Sequence, residues 1–356
     1  MTGAPVAVDP VPVTDVRDGD GGRPVDWVRF WEGLDDGTAT ADVLVGTLAA
    51  VSQELPDDDG LVAFVRSVVP DGPLPAVDAV NIVGIGGGPS TMNVSTAAAV
   101  VAAAAGAAVV KSGSRAYTSV LGSTELLGLA GVATTTSTDD LRDRLARHRL
   151  AFAGQHVYPR GLTRLARRIV PVGMKEFGGF LNVVGPYLPA LGLRAQVTGR
   201  SGRATPEAVR RLATGRGLTQ WVCSSDLGAD ELLSVCPSTV THPDGRTERI
   251  VPGTLVTGAG SLEDLRPAEP GRSVEHFAAA LAGDLAVAVT ETIVLNAAVV
   301  LLASGTAPTL RDACASAHEA ISSGAAHGLF ETLRGQAPAG AAVTRDGRGG
   351  ADHGVV

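Results

Sequence analysis

The sequence predicts an α/β fold: a large domain with a mainly parallel central sheet flanked by helices, plus a small all-helical domain. Two strand, polar loop, helix units follow one another directly between residues 76 and 125. Such units imply a parallel sheet whose loops gather at its carboxyl edge, where ligands bind in this architecture. Ahead of them, residues 27–69 carry apolar side chains at three- and four-residue steps, the mark of helices. Aromatic residues make up only 4% of the chain against a hydrophobic share of 45%, so Ala, Val, Leu and Gly must fill the interior. That composition suits closely packed helices and strands.

At 356 residues the chain is long enough for two units that each bury a core. Residues 1–24 and 336–356 mix Pro, Gly, Asp or Arg without periodicity and are expected to be disordered tails. Val28, Trp31 and Leu34 mark a first helix, Val43, Leu44, Leu48 and Val51 a second, and Leu61, Phe64, Val65 and Val68 a third. Asp35-Asp36-Gly37 and Pro56-Asp57-Asp58 break the run, and a linker with Pro70, Gly72, Pro73 and Pro75 ends it. The small helical domain is therefore placed at residues 25–70, with a contribution from about 157–178, which includes a basic helical stretch at 162–169. The α/β domain takes residues 76–156 and 179–335.

Its first strand, residues 76–83, runs into the glycine loop Gly84-Ile85-Gly86-Gly87-Gly88, and a helix restarts at Ser95-Thr96. The second unit has a strand at 107–110, a polar loop at 111–122 and a helix from Ser123. The apolar run 94–110 is broken by Ser95, Thr96 and Gly106, so it is read as a buried helix and a strand rather than a membrane span. Residues 195–197, 221–223 and 255–256 are candidate further strands, and helices close the domain between Val274 and Leu333.

A net charge of −8 argues against a general nucleic-acid binder, which needs a concentrated Lys/Arg surface. Cys223, Cys236 and Cys314 have neither a metal-ligand spacing nor an even disulfide count, and the N-terminus has no basic-then-apolar secretory pattern. A cytoplasmic protein without membrane attachment is expected, with the cysteines buried. Lysine occurs only as Lys111 and Lys175. A lysine that leaves an apolar strand, as Lys111 does, has to reach solvent or an anion.

The glycine loop lets backbone N–H groups approach a phosphate without Cβ obstruction. It is not a dinucleotide fingerprint, because Pro89 stands at the sixth position from Gly84, and no Gly-Lys-Ser/Thr follows to make a Walker loop. By itself the loop is equally a tight turn against a helix. Ser95 and Ser123 by themselves are equally helix N-caps, Asp230-Glu231 a solvated loop or first helical turn, and Arg115 a surface ion-pair partner.

Taken in order, Gly84-Ile85-Gly86-Gly87-Gly88, Asn93-Val94-Ser95-Thr96, Lys111-Ser112-Gly113-Ser114-Arg115 and Gly122-Ser123-Thr124-Glu125 resemble a known set of motifs. These are the G-T-G-G-D, N-I-S-T, K-H-G-N-R and S-G-S-A-D motifs of anthranilate phosphoribosyltransferases. Leu181-Asn182-Val183-Val184-Gly185-Pro186, Gly228-Ala229-Asp230-Glu231-Leu232 and Leu295-Asn296-Ala297-Ala298 resemble that family's F-N-L-L-G-P, G-x-D-E-L and L-N-A-A.

The resemblance implies transfer of a phosphoribosyl group from phosphoribosyl pyrophosphate (PRPP) by a homodimer that uses magnesium. It implies that Gly84, Gly86, Gly87, Asn93, Ser95, Thr96, Lys111 and Ser123 bind PRPP. Lys111 and Arg115 would be the catalytic cations, and Asp230, Glu231 and Ser95 would hold magnesium. Ser112, Ser114, His156 and Gly178 fall on the acceptor side.

The departures concentrate on that side. Ser112 and Ser114 replace the family's His and Asn, and the stretch Phe177-Gly178-Gly179-Phe180-Leu181-Asn182 lacks the arginine of R-T-I-F-N that meets the anthranilate carboxylate. Loss of a cation that pairs a buried carboxylate costs on the order of 3–5 kcal/mol, so an acceptor other than anthranilate is expected. A bulkier, hydroxyl-rich or cationic compound is the candidate, for example an aminocyclitol of antibiotic biosynthesis. Gly88 also replaces the family's Asp. A pyrimidine nucleoside phosphorylase-like enzyme and a non-catalytic nucleic-acid-binding protein of the same fold are the alternatives.

Overall fold

The computed structural model of the chain describes residues 24–113 and 121–335. The two expected tails, except for Pro24, and the candidate site residues Ser114 and Arg115 lie outside the described residues.

Three helices come first: α1 (Trp27–Asp35), α2 (Ala41–Gln53) and α3 (Asp58–Val68). Each starts where a side chain caps it, Asp26, Thr40 and Asp57 accepting from the N–H three residues on. Strand β1 (Ala76–Gly84) leads through the glycine loop to α4 (Val94–Ala104), and β2 (Val109–Lys111) precedes α5 (Ser123–Leu129). Helix α6 (Thr138–His148) and the short β3 (Leu150–Phe152) follow, then α7 (Arg160–Arg168) and α8 (Gly178–Val184). Strand β4 (Gly192–Gly199), α9 (Pro206–Gly215) and β5 (Gln220–Ser225) extend the sheet, and β6 (Ser238–Thr241) and β7 (Thr247–Ile250) form a hairpin on its edge. Helices α10 (Ser273–Ala282), α11 (Val287–Ser304), α12 (Leu310–Ser322) and α13 (Ala325–Arg334) complete the described chain.

The sheet has the order β3-β2-β1-β4-β5-β6-β7. Its first five strands are parallel; β6 pairs antiparallel with β5, and β7 antiparallel with β6. Residues 255–256, expected to be a strand, lie instead in an irregular turn. That isolated apolar pair packs against the core without a neighbouring strand to bond to. Strands β3, β6 and β7 leave no clear mark in the sequence pattern. The first is three residues long, and the other two alternate too briefly to stand out.

Two apolar clusters sandwich the sheet. One gathers α4, α10, α11, α12 and α13 on one face. Helix α11 is long and apolar enough to cross a bilayer, but most of it is buried inside this layer. The other cluster joins residues of α1–α3, α7 and α8 with Val77, Ala79, Val110 and Val209. Trp27 stacks on Phe180 there, with ring centroids 5.7 Å apart, fixing α8 against the N-terminal helices. All three cysteines are free and buried.

A ladder of buried side-chain hydrogen bonds crosses the parallel strands. The Ser112 hydroxyl donates to Asn81 Oδ1 at 3.0 Å, and Asn81 Nδ2 donates to Gln196 Oε1 at 3.0 Å. Gln196 Nε2 reaches Thr198 Oγ1 at 3.0 Å, and Gln220 Nε2 reaches both Thr198 Oγ1 and the Tyr187 hydroxyl at 2.8 Å. Each of these side chains has a partner, which is what makes burial of such groups tolerable.

Candidate active site

A cleft of about 370 Å³ opens at the carboxyl edge of the sheet. It is lined by the glycine loop, the first turn of α4, Lys111, Gly113, Ser123, Asn182, Arg203, Asp230 and Glu231. Of the residues expected to bind PRPP or magnesium, Gly84, Gly86, Gly87, Asn93, Ser95, Thr96, Lys111, Ser123, Asp230 and Glu231 all line it.

Close approach of backbone explains the glycines. Gly84 and Gly199 are partners in the β1–β4 register. A Cβ on Gly84 would lie 2.0 Å from Asp230 Oδ2, and one on Gly199 only 1.5 Å from the Asp230 carbonyl oxygen. These two strand ends are bare so that the Asp230 segment can lie on them. Asp230 then accepts the Gly86 N–H at 2.8 Å. Gly88 has φ +86°, and a Cβ there would meet the Gly228 carbonyl oxygen at 2.2 Å, so this conformation has no room for the aspartate of the resembling motif.

The carboxylate pair is also held from behind. Asn296, in the middle of α11, accepts the Leu232 N–H at 3.1 Å and donates to the Leu232 carbonyl at 2.8 Å. The Glu231 carboxylate accepts from Thr91 at 2.5 Å. Burial, with the adjacent Asp230 charge adding to it, holds the Glu231 carboxyl well above the usual carboxylate range. Two adjacent acidic groups in one wall call for a cation.

Lys111 ends β2 almost fully enclosed, at 4% exposure, and its Nζ donates to the Ser112 carbonyl at 2.8 Å. Burial lowers its pKa to about 8, opposed by attraction to Asp230, so the two groups sense each other across the cleft. Gly113 keeps the space beside them open: a Cβ there would lie 2.2 Å from Ser123 Oγ and 3.8 Å from Lys111 Nζ.

Neither helix entering the cleft has a side-chain bond from its cap residue, although at α5 the Glu125 carboxylate accepts the Gly122 N–H at 2.8 Å. Asn93 and Gly122 occupy the cap positions of α4 and α5 without one, so Ser95 and Ser123 are first-turn residues rather than caps. Asn93 Nδ2 instead donates to the Leu121 carbonyl at 3.1 Å, tying the two helix starts together. The Thr96 hydroxyl is buried without a partner at this helix start. Such a turn offers donors to an anion.

The acceptor-side residues are placed differently from expectation. Ser112, His156 and Gly178 do not line the cleft. The Ser112 hydroxyl is used by Asn81 in the buried ladder, and the His156 ring is held by the Thr135 carbonyl at 3.1 Å. Gly178 is buried at the start of α8, within the packing of that helix. Asn182, one turn further along α8, does line the cleft, and its Nδ2 is buried without a partner. Arg203, Thr91 and Asn182 are site residues that sequence reasoning misses. For Asn182 the F-N-L-L-G-P-like motif is the available signal; Arg203 and Thr91 carry none.

Comparison with known proteins agrees with this geometry. Residues 76–327 match the glycosyl transferase family, a/b domain. An anthranilate phosphoribosyltransferase of Methylobacterium nodulans is 32% identical over 301 residues, covering 82% of this chain and 83% of its own. One of Cenarchaeum symbiosum is 32% identical over 297 residues, covering 82% of each. The crystal structure of the Thermus thermophilus enzyme superposes with a TM-score of 0.70 at 26% identity, covering 87% of this chain and 94% of that one. The chain belongs to the glycosyl transferase family and, within it, to the anthranilate phosphoribosyltransferase-like group.

Proposed function

We propose that the chain transfers the 5-phosphoribosyl group of PRPP to a small acceptor other than anthranilate, releasing pyrophosphate. The observation that carries this reading is the shared cleft: Lys111, the uncapped start of α4 and the Asp230-Glu231 pair all face it. The relatives' name supports the donor, and a Saccharomyces cerevisiae anthranilate phosphoribosyltransferase of the same fold, with a TM-score of 0.71 at 21% identity, is described in complex with PRPP and Mg.

In the reaction the bond between ribose C1 and the pyrophosphate oxygen breaks, its electron pair leaving with the pyrophosphate. A lone pair of the acceptor forms the new bond at C1 from the opposite side, and the acceptor gives up a proton to the released pyrophosphate or to solvent. Lys111 supplies positive charge in an enclosed wall, where it is worth more than in water. The first turn of α4, with the Ser95 and Thr96 hydroxyls, orients phosphate oxygens.

Magnesium belongs to this reading. Asp230 and Glu231 fit it as adjacent oxygen donors, and among the described residues no group of three or more His, Cys, Asp or Glu forms a closed metal cage. Magnesium is commonly held in this way, by one or two carboxylates with phosphate oxygens and water. When bound it neutralises charge on the leaving pyrophosphate.

What supports a non-anthranilate acceptor is the sequence of α8, which has no arginine where the resembling motif carries one. Asn182 belongs to the part of that motif the chain keeps, and the cleft's described cations, Lys111 and Arg203, come from other elements. An aminocyclitol or similar hydroxyl-rich compound is the acceptor class we test first. A cytoplasmic homodimer is part of the same proposal, and sedimentation checks its size. The decisive experiment measures PRPP binding by calorimetry with magnesium, then pyrophosphate release against aromatic acids, amines and aminocyclitols. Absence of PRPP binding would defeat the donor, and turnover with anthranilate alone would defeat the acceptor.

A further inference from the structure

We infer that Arg203 is a binding residue for the pyrophosphate group, a role that rests on the reading of the cleft given above. The connection between β4 and α9 turns back onto the glycine loop. The buried Ser201 hydroxyl donates to the Gly86 carbonyl at 2.6 Å and accepts the Arg203 N–H at 3.4 Å. This staple lays the Arg203 side chain along Gly87, whose φ is +89°. A Cβ on Gly87 would lie 2.7 Å from Arg203 Nε and 2.9 Å from its Cδ, so the glycine makes room for the arginine.

The guanidinium lines the cleft and, among the described residues, has no ion pair. Of the arginines around it, Arg194, Arg210 and Arg211 are paired with Asp78, Glu207 and Asp59, and Arg200 donates to the Ala204 carbonyl at 3.4 Å instead of lining the cleft. Arg203 is therefore a cation whose charge faces the site rather than a surface carboxylate. The glycine loop beside it is also what Asp230 grips through Gly86, which puts Arg203 at the end of the cleft that holds the carboxylate pair. A diphosphate brings more negative charge than Lys111 alone balances, and a guanidinium can meet two of its oxygens at once.

The experiment is calorimetry on the full chain with magnesium, titrating inorganic pyrophosphate and, separately, ribose 5-phosphate. Arg203 is exposed, so Arg203→Gln is expected to fold, which its melting temperature checks. The variant should lose about tenfold or more in pyrophosphate affinity and keep its ribose 5-phosphate affinity, with Arg203→Lys recovering part of the loss. Unchanged pyrophosphate binding in Arg203→Gln, or equal losses for both ligands, overturns the role of Arg203 and leaves the cleft's assignment standing. A wild-type chain that binds neither ligand overturns both.

Discussion

On the glycine-loop side of the cleft most functional groups are held by a second one, the buried Thr96 hydroxyl being an exception. Gly86 holds Asp230, Thr91 holds Glu231, Asn296 grips Leu232 and Ser201 ties one loop to the next. The α8 side brings less to the cleft: its Asn182 amide nitrogen is buried and unpartnered, and His156 and Ser112, expected on the acceptor side, are held away from the cleft by Thr135 and Asn81. The contrast teaches where constraint lies in such a site. Holding a diphosphate needs backbone donors and fixed charges, which many residues must support together. Choosing an acceptor needs only a few side chains, which can change one at a time.

The strongest way to break the contrast is Gly199→Ala. Its methyl has no space beside the Asp230 carbonyl, so the segment must shift. We expect a loss of about 3 kcal/mol in stability, together with PRPP binding. Denaturant unfolding and calorimetry check it, and a well-folded variant with normal binding would show the tight side to be pliant.

Lys111→Met should lower turnover by roughly 100-fold or more with little loss of stability. The pH dependence gives the same test without mutation. With a folded pKa of about 8 against 10.5 as its ordinary value, the unfolded chain holds a proton between these values that the folded chain lacks. Stability from this group therefore rises with pH across that window. Affinity for PRPP should move the opposite way, falling as pH rises through about 8, because the anion needs the charged lysine. Calorimetry from about pH 7 to about pH 9.5 reads it, and Lys111→Met should flatten the curve.

Asn296→Ala removes two hydrogen bonds to Leu232 from beneath the carboxylates. We expect a loss of about 2 kcal/mol in stability and weaker magnesium-dependent PRPP binding, read by the same two methods. The smallest effect is expected at Ser112: Ser112→Ala should cost about 1 kcal/mol and leave the range of acceptors unchanged, since its hydroxyl faces Asn81. A changed acceptor range in the pyrophosphate-release screen would return Ser112 to the acceptor site.

Much of the tight side is legible in the sequence because its parts are local. A glycine cluster after an apolar strand, a lysine leaving one and an Asp-Glu pair are visible within a few residues, and the three- and four-residue spacing marks α1 to α3 directly. What stays hidden depends on contacts between distant segments. That Gly84 and Gly199 serve Asp230, that Asn296 serves Leu232 and that Arg203 reaches Gly87 follow only from strand order and register. Ser112 escapes for the same reason: its neighbour Lys111 faces the cleft, and successive residues leaving a strand point to opposite sides. The hairpin β6–β7 escapes because its alternation is short and its polar face is half-exposed.

The ladder from Ser112 to Tyr187 also governs alignment. If one of its strands slipped by a single residue, that strand's amide would rotate to the far side of the sheet and leave its partners buried and unbonded. The ladder thus acts as a lock on strand heights, keeping the end of β2, with its lysine, level with the end of β4, on which the aspartate segment rests.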